Sequence, residues 1–211
     1  MTQLVLAVLK DATAANLTTI GTTDWADWNG SLNAVTVNEA KSGGGGLISA
    51  AIFTAGSPQI YSGDPRTISW TDGSPTGTSS NSNGVFNSGG GVGAGFEVTF
   101  PADTSNKIAT LYCGYFDSDV KVTAIISDAS TGNQVDSTTL TGAGLTSLDG
   151  VITVTYAAAS AGQTMKIRIE VLNNLNGSGN TTLQGAALKP GIASAPAGLG
   201  LIINLFRQRG A

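Results

Sequence analysis

Alternation of apolar and polar residues with a period of two runs through this chain and leaves little room for helices. The segments 67–71, 95–100, 119–125, 151–156 and 165–171 all alternate and are rich in β-branched residues, and 34–38 reads the same way. Val, Ile and Thr are at ease on a pleated, half-buried surface, so such runs become strands. The segments 107–114 and 181–188 are less regular but strand-like. Turn chemistry separates the runs at Asp72-Gly73-Ser74-Pro75, Pro101-Ala102-Asp103, Ser130-Thr131-Gly132-Asn133, Asp149-Gly150, Ala161-Gly162-Gln163 and from Asn176 to Asn180. One helical periodicity, around Asp11 to Leu17, is too short to stand alone. The pattern predicts an all-β fold, an antiparallel two-sheet β-sandwich, with jelly-roll connectivity favoured over an immunoglobulin-like key.

The sequence divides into an N-terminal strand or arm (1–15), a sandwich domain (16–188) and a C-terminal arm (189–211). The apolar start reads as an interior strand; it lacks the basic opening of a signal peptide. No apolar run approaches the roughly 18 residues that cross a bilayer. The Gly-rich stretch from Thr76 to Gly95 reads as a long surface loop, or as a crossover pinned by Val85 and Phe86. The arm carries Leu199, Leu201, Ile202, Ile203, Leu205 and Phe206, then Arg207 and Arg209. It is either one more strand of the sandwich or an assembly segment that docks on a neighbouring subunit.

Composition limits the chemistry. The chain has no histidine and one cysteine, and 11% of its residues are charged against about 25% in ordinary domains. Without histidine, most general acid–base and metal-dependent chemistry loses its usual agent. Cys113 has no disulfide partner and sits in an apolar run, so it reads as a small buried hydrophobe. A net charge of −4 with scattered basic residues argues against nucleic acid. Neither glycine run, 43–46 nor 89–95, is followed by the Lys-Ser/Thr pair of a phosphate loop. Asp24, Asp27, Asp64, Asp72, Asp117 and Asp119 fall in expected loops, yet nothing selects a pair for glycoside hydrolysis, so no enzymatic activity is expected.

Two clusters remain. Asp24-Trp25-Ala26-Asp27-Trp28 suits glycan binding, since indoles stack on sugar rings while carboxylates take hydroxyl hydrogen bonds, and Tyr115 joins it as a further aromatic candidate. The competing reading puts these tryptophans in the core; on a strand, Trp25 and Trp28 would face opposite sides. Asp117 and Asp119 are two residues apart, as Ca²⁺ ligands can be, but an EF-hand-like loop would want Gly and Glu where Val122 and Asp128 stand. A turn with solvated charges is the preferred reading, and no cofactor is expected beyond that Ca²⁺ option.

From Asn16 to Leu188 the chain resembles a bacterial sandwich module of cell-surface proteins and carbohydrate-active enzymes. The resemblance rests on the segments 22–28, 68–75, 93–103, 156–164 and 180–188. As a stand-alone unit with an apolar-basic arm it looks like a phage structural protein. That implies a virion-surface, non-enzymatic capsid decoration or fibre-type subunit, made in the host cytoplasm without a signal peptide. Its expected partners are other virion proteins such as the major capsid protein, and further copies of itself in a homo-oligomer such as a trimer. The alternative is a carbohydrate-binding or adhesion module that recognises surface glycans.

Overall fold

The structure, a computed structural model, describes residues 2–29 and 36–192. In chain order its strands are β1 (Gln3–Lys10), β2 (Ala15–Asn16), β3 (Asp24–Asp27), β4 (Glu39–Lys41), β5 (Ser49–Phe53), β6 (Ser57–Ser62), β7 (Ile68–Trp70), β8 (Gly73–Ser74) and β9 (Ser79–Asn81). They continue with β10 (Asn83–Ser88), β11 (Gly95–Ala102), β12 (Lys107–Phe116), β13 (Ser118–Ser127), β14 (Gln134–Leu140), β15 (Ser147–Ala157), β16 (Gln163–Asn174) and β17 (Asn180–Pro190). One helical turn, α1 (Leu17–Ile20), is capped by the Asn16 side chain, which accepts from Thr19 N at 3.2 Å.

Among the described residues the strands form two principal antiparallel sheets and a small third one. The larger sheet runs β1-β15-β12-β17-β3-β4-β8, and β17 also pairs with β10, which pairs with β6. The second runs β14-β13-β16-β11-β5. From β11 onward the chain steps between the two sheets, except at the β13–β14 hairpin. This is a jelly roll, as the alternation predicted. Inward residues of both sheets meet in one core: Phe96, Val98 and Phe100 from β11 and Met165, Ile167 and Ile169 from β16 face Leu111, Ile152, Val154 and Leu183. Each such burial stabilises the fold by about 1.5–3 kcal/mol before the entropy of ordering is counted. The intervening β16 residues face out, where Lys166 and Arg168 grip Glu97 of β11 at 2.7 and 2.6 Å.

The third sheet, β2-β7-β9, lies with α1 over part of the outer face of the larger sheet. Trp25, Trp70, Tyr112 and Ala187 fill the layer between them, with the two indoles 5.4 Å apart. A two-layer sandwich has thus gained a partial third layer.

Several expectations change. β1 is an edge strand, not an interior one: it pairs with β15 over eight residues, from Gln3↔Ala157 to Lys10↔Gly150, and so belongs to the sandwich. The segment 76–95 is not a plain loop: it passes from β9 of the small sheet to β10 of the larger one, and Val85 is pinned in the core as the crossover reading expected. Asp149-Gly150 is no turn but the early part of β15, where pairing with β1 and β12 overrides the local signal. Of the run 34–38, residues 36–38 are not strand, although Val37 packs against the core. The assembly residues Leu199, Leu201, Ile202, Ile203, Leu205, Phe206, Arg207 and Arg209 lie outside the described residues.

Candidate binding pocket

Covering only part of the outer face leaves the rest exposed, and there the strands build a pocket of about 660 Å³. Strand parity sets its floor. Gly114 and Phe116 project from the same face of β12 as Tyr112. Register then places Asp149, Gly114, Thr182 and Phe86 in one row across β15, β12, β17 and β10. The next row is Ser147, Phe116 and Asn180. Tyr61 enters from β6 opposite Gly84, and its ring meets Phe86 edge-on at 6.5 Å. Glycine is needed at position 84, because a methyl group there would stand 2.7 Å from the Tyr61 ring.

Three half-buried rings, Tyr61, Phe86 and Phe116, therefore surround a polar floor. The Tyr61 hydroxyl donates to Asp64 Oδ2 at 2.9 Å, and Asp64 Oδ1 accepts from Arg66 N at 2.8 Å. Asp149 lies within hydrogen-bond reach of Asp64. Burial pushes the Asp149 carboxyl up to about 6, the Asp64 charge adds to the shift, and Arg66 opposes it. Burial also pushes the Tyr61 phenol up, again reinforced by Asp64. Beneath the floor, Arg66 is fully buried. It donates to Gln184 Oε1 at 2.8 Å and to the carbonyls of Asp11, Cys113 and Gly150, and it stacks on Tyr112 at 5.4 Å.

The sequence-derived glycan residues do not form this site. Trp25 on β3 and Trp28 just after it are 0% exposed and enter different cores, Trp28 the main one and Trp25 the layer beneath the small sheet, so neither ring can meet a sugar. Trp25 Nε1 instead donates to Asp72 Oδ1 at 2.8 Å. Asp24 is buried and ties Trp25 N and Leu47 N at 2.9 and 2.6 Å. Asp27 is buried on β3 opposite Glu39. Of that set only Tyr115 touches the pocket, from below, with its hydroxyl donating to Thr141 O at 3.3 Å.

Asp117 and Asp119 serve as loop braces. Asp117 is buried rather than solvated, and its carboxylate accepts from Asn176 Nδ2, Ser178 N and Asn176 N at 2.6, 3.0 and 3.2 Å. It thereby holds the rim formed by Gly177, Ser178 and Gly179. Asp119 accepts from Gly142 N and Asn173 Nδ2 at 2.8 and 2.9 Å. The carboxylates of both residues are thus engaged by loop amides. Among the described residues, no three His, Cys, Asp or Glu side chains gather as metal ligands would. No described helix is long and apolar enough to cross a membrane.

No protein-family model and no curated protein matches the chain. Solved structures resemble it loosely. One is the enzymatically active domain of tailspike protein 4 from bacteriophage CBA120, at 10% identity and TM-score 0.43; the match covers 68% of this chain and 20% of that one. Another is the carbohydrate-binding module TmCBM61 in complex with β-1,4-galactotriose, at 9% identity and TM-score 0.36, covering 69% of this chain and 90% of that one. A third is a cyclase from Fischerella sp. TAU, at 16% identity and TM-score 0.39, covering 67% and 85%. Their activities differ, and what each binds or converts is a property of that protein alone.

Proposed function

We propose that this chain is a non-enzymatic, carbohydrate-binding jelly roll whose sugar site is the outer-face pocket. The observation that carries the reading is the placement of three half-buried rings around hydrogen-bonding side chains in one pocket of about 660 Å³. Aromatic faces take the apolar faces of sugar rings, and Asp64, Asp149, Asn180 and Thr182 offer partners to hydroxyls. The carboxyl pair speaks against glycoside hydrolysis, because Asp64 and Asp149 are within hydrogen-bond reach of each other. Glycosidases hold their two carboxyls about 5–9.5 Å apart to flank the bond and the water.

A glycan array followed by calorimetric titration of the best ligand tests this reading. Phe116→Ala should weaken binding by about tenfold with little change in melting temperature, since one half-exposed stacking ring is lost. Absence of binding to every glycan, or an unchanged affinity in Phe116→Ala, would overturn it.

A second reading, compatible with the first, is display on a phage particle as a capsid decoration or fibre-type subunit that contacts capsid proteins and further copies of itself. One structural observation favours an assembly contact. On edge strand β1 the outward row Val5, Ala7 and Leu9 is exposed, Val5 at 53% and Leu9 at 65%. Removing residues 197–211 should leave a folded sandwich that no longer enters the particle; undiminished incorporation would sink the assembly role.

A further inference from the structure

The pocket presents negative charge and no positive charge. Asp64 and Asp149 sit together at its floor, and no Lys or Arg is among its lining residues. The cation that Asp149 feels, Arg66, is fully buried. Its terminal guanidinium nitrogens donate to Gln184 Oε1 and to three backbone carbonyls, and its burial keeps it from a ligand. Around the acids stand Tyr61, Phe86 and Phe116, whose ring faces attract cations.

Different sugars would fare differently here. A neutral sugar gives the acids only hydroxyl donors. An acidic sugar brings a like charge against them. A protonated amine gives several N–H donors in charge-assisted hydrogen bonds and places its positive charge near the ring faces.

Resting on the carbohydrate-binding reading above, we infer that the pocket selects sugars bearing a free, protonated amine, of the glucosamine type, over neutral, N-acetylated or acidic ones. A sugar fits better than a lysine side chain because Ser147, Asn174, Asn180 and Thr182 add hydroxyl and amide groups to the lining. Ring hydroxyls would add hydrogen bonds to these groups, whereas an alkyl stem would add none.

The test is calorimetric titration of the full chain at near-neutral pH with four probes: a glucosamine oligomer, its N-acetylated counterpart, a glucose oligomer of equal length, and trilysine. The glucosamine oligomer should bind about tenfold or more tightly than the other two sugars, as expected for a gained charge-assisted contact. Its advantage should shrink as salt is added, a readout that needs no variant. Asp149→Asn should erase the advantage. Equal or tighter binding of the glucose oligomer, or an advantage indifferent to salt, would overturn the amine preference while leaving the carbohydrate reading standing. Binding of no sugar at all would overturn both. Trilysine binding as tightly as the glucosamine oligomer would overturn the assignment to a sugar.

Discussion

Asp27→Asn should stabilise this protein, and by an amount that depends on pH. Asp27 is 0% exposed on β3, and its carboxylate oxygens have no well-aligned hydrogen bond, although the Asn81 amide and the Asn29 N–H approach them. Burial, with the facing Glu39 adding its charge and the Asn81 amide opposing, pushes its carboxyl from 3.8 up to about 8. The folded chain therefore holds a proton here that the unfolded chain gives up above about pH 4. Stability from this group is fully present below that point and is lost as pH rises toward 8. At pH 7 the gap of about three pH units, at about 1.4 kcal/mol each, corresponds to roughly 4 kcal/mol against folding. An asparagine has the same shape and no charge to desolvate, and its amide NH₂ can donate toward Glu39. Urea denaturation of both proteins, analysed as two-state transitions, gives the difference directly. The variant should gain about 2–4 kcal/mol at pH 7, and the gain should shrink toward zero near pH 4. A gain that does not vary with pH, or a loss at pH 7, would refute the burial of a poorly compensated carboxyl at this position.

Three further outcomes are expected. In Gly114→Ala the new methyl would stand 2.7 Å from Thr182 Oγ1 and 2.8 Å from the Leu148 carbonyl, so the pocket floor must shift. Overpacking of about 1–3 kcal/mol, less up to 1 kcal/mol from a stiffer unfolded chain, leaves a net loss of about 1–2 kcal/mol, read by urea denaturation together with weaker ligand binding. Arg66→Met removes a buried cation from four oxygen acceptors and should cost about 3 kcal/mol or more, measured in the same way. Cys113 is buried and its thiol is pushed up to about 12 by desolvation. It should therefore resist a thiol reagent at about pH 8 until the protein is unfolded.

The sandwich was legible because its central strands each bury one face. β11, β13 and β16 alternate cleanly, and their inward residues are the core. Among the strands that were not legible, three have a clear local reason. β6 contains Pro58, β14 is a polar edge strand, and β5 has little alternation to show. The pocket was still less visible. Its aromatic members lie in three distant segments, Tyr61, Phe86 and Phe116, and only pairing of β6, β10, β17 and β12 brings them to one face. One signal was present: Tyr115 and Phe116 must face opposite sides of a strand, so one of them had to point away from the core. The tryptophan cluster misled because its residue types suit sugars, while its position on a covered strand does not.

That cover is what ties the fold to the site. The larger sheet has one outer face, and the chain treats its two parts differently, laying β2, β7, β9 and α1 over Trp25 and Tyr112 while leaving the part around Gly114 open. The boundary falls in the short connection between β6 and β7. Tyr61 near the end of β6 and Asp64 at the start of the connection belong to the pocket, and Ile68 just beyond it belongs to the covering layer. Arg66 stands between them and fastens the connection to β12, β15, the bulged Gln184 of β17 and the Asp11 carbonyl. Gln184 is the extra residue where the β12–β17 register shifts, so the irregularity that interrupts the ladder also supplies the acceptor for the buried charge. A buried guanidinium is a costly way to gain stability. Its value here is positional, because its side chain fastens the connection where the cover stops while its backbone N–H holds Asp64 at the edge of the opening that remains.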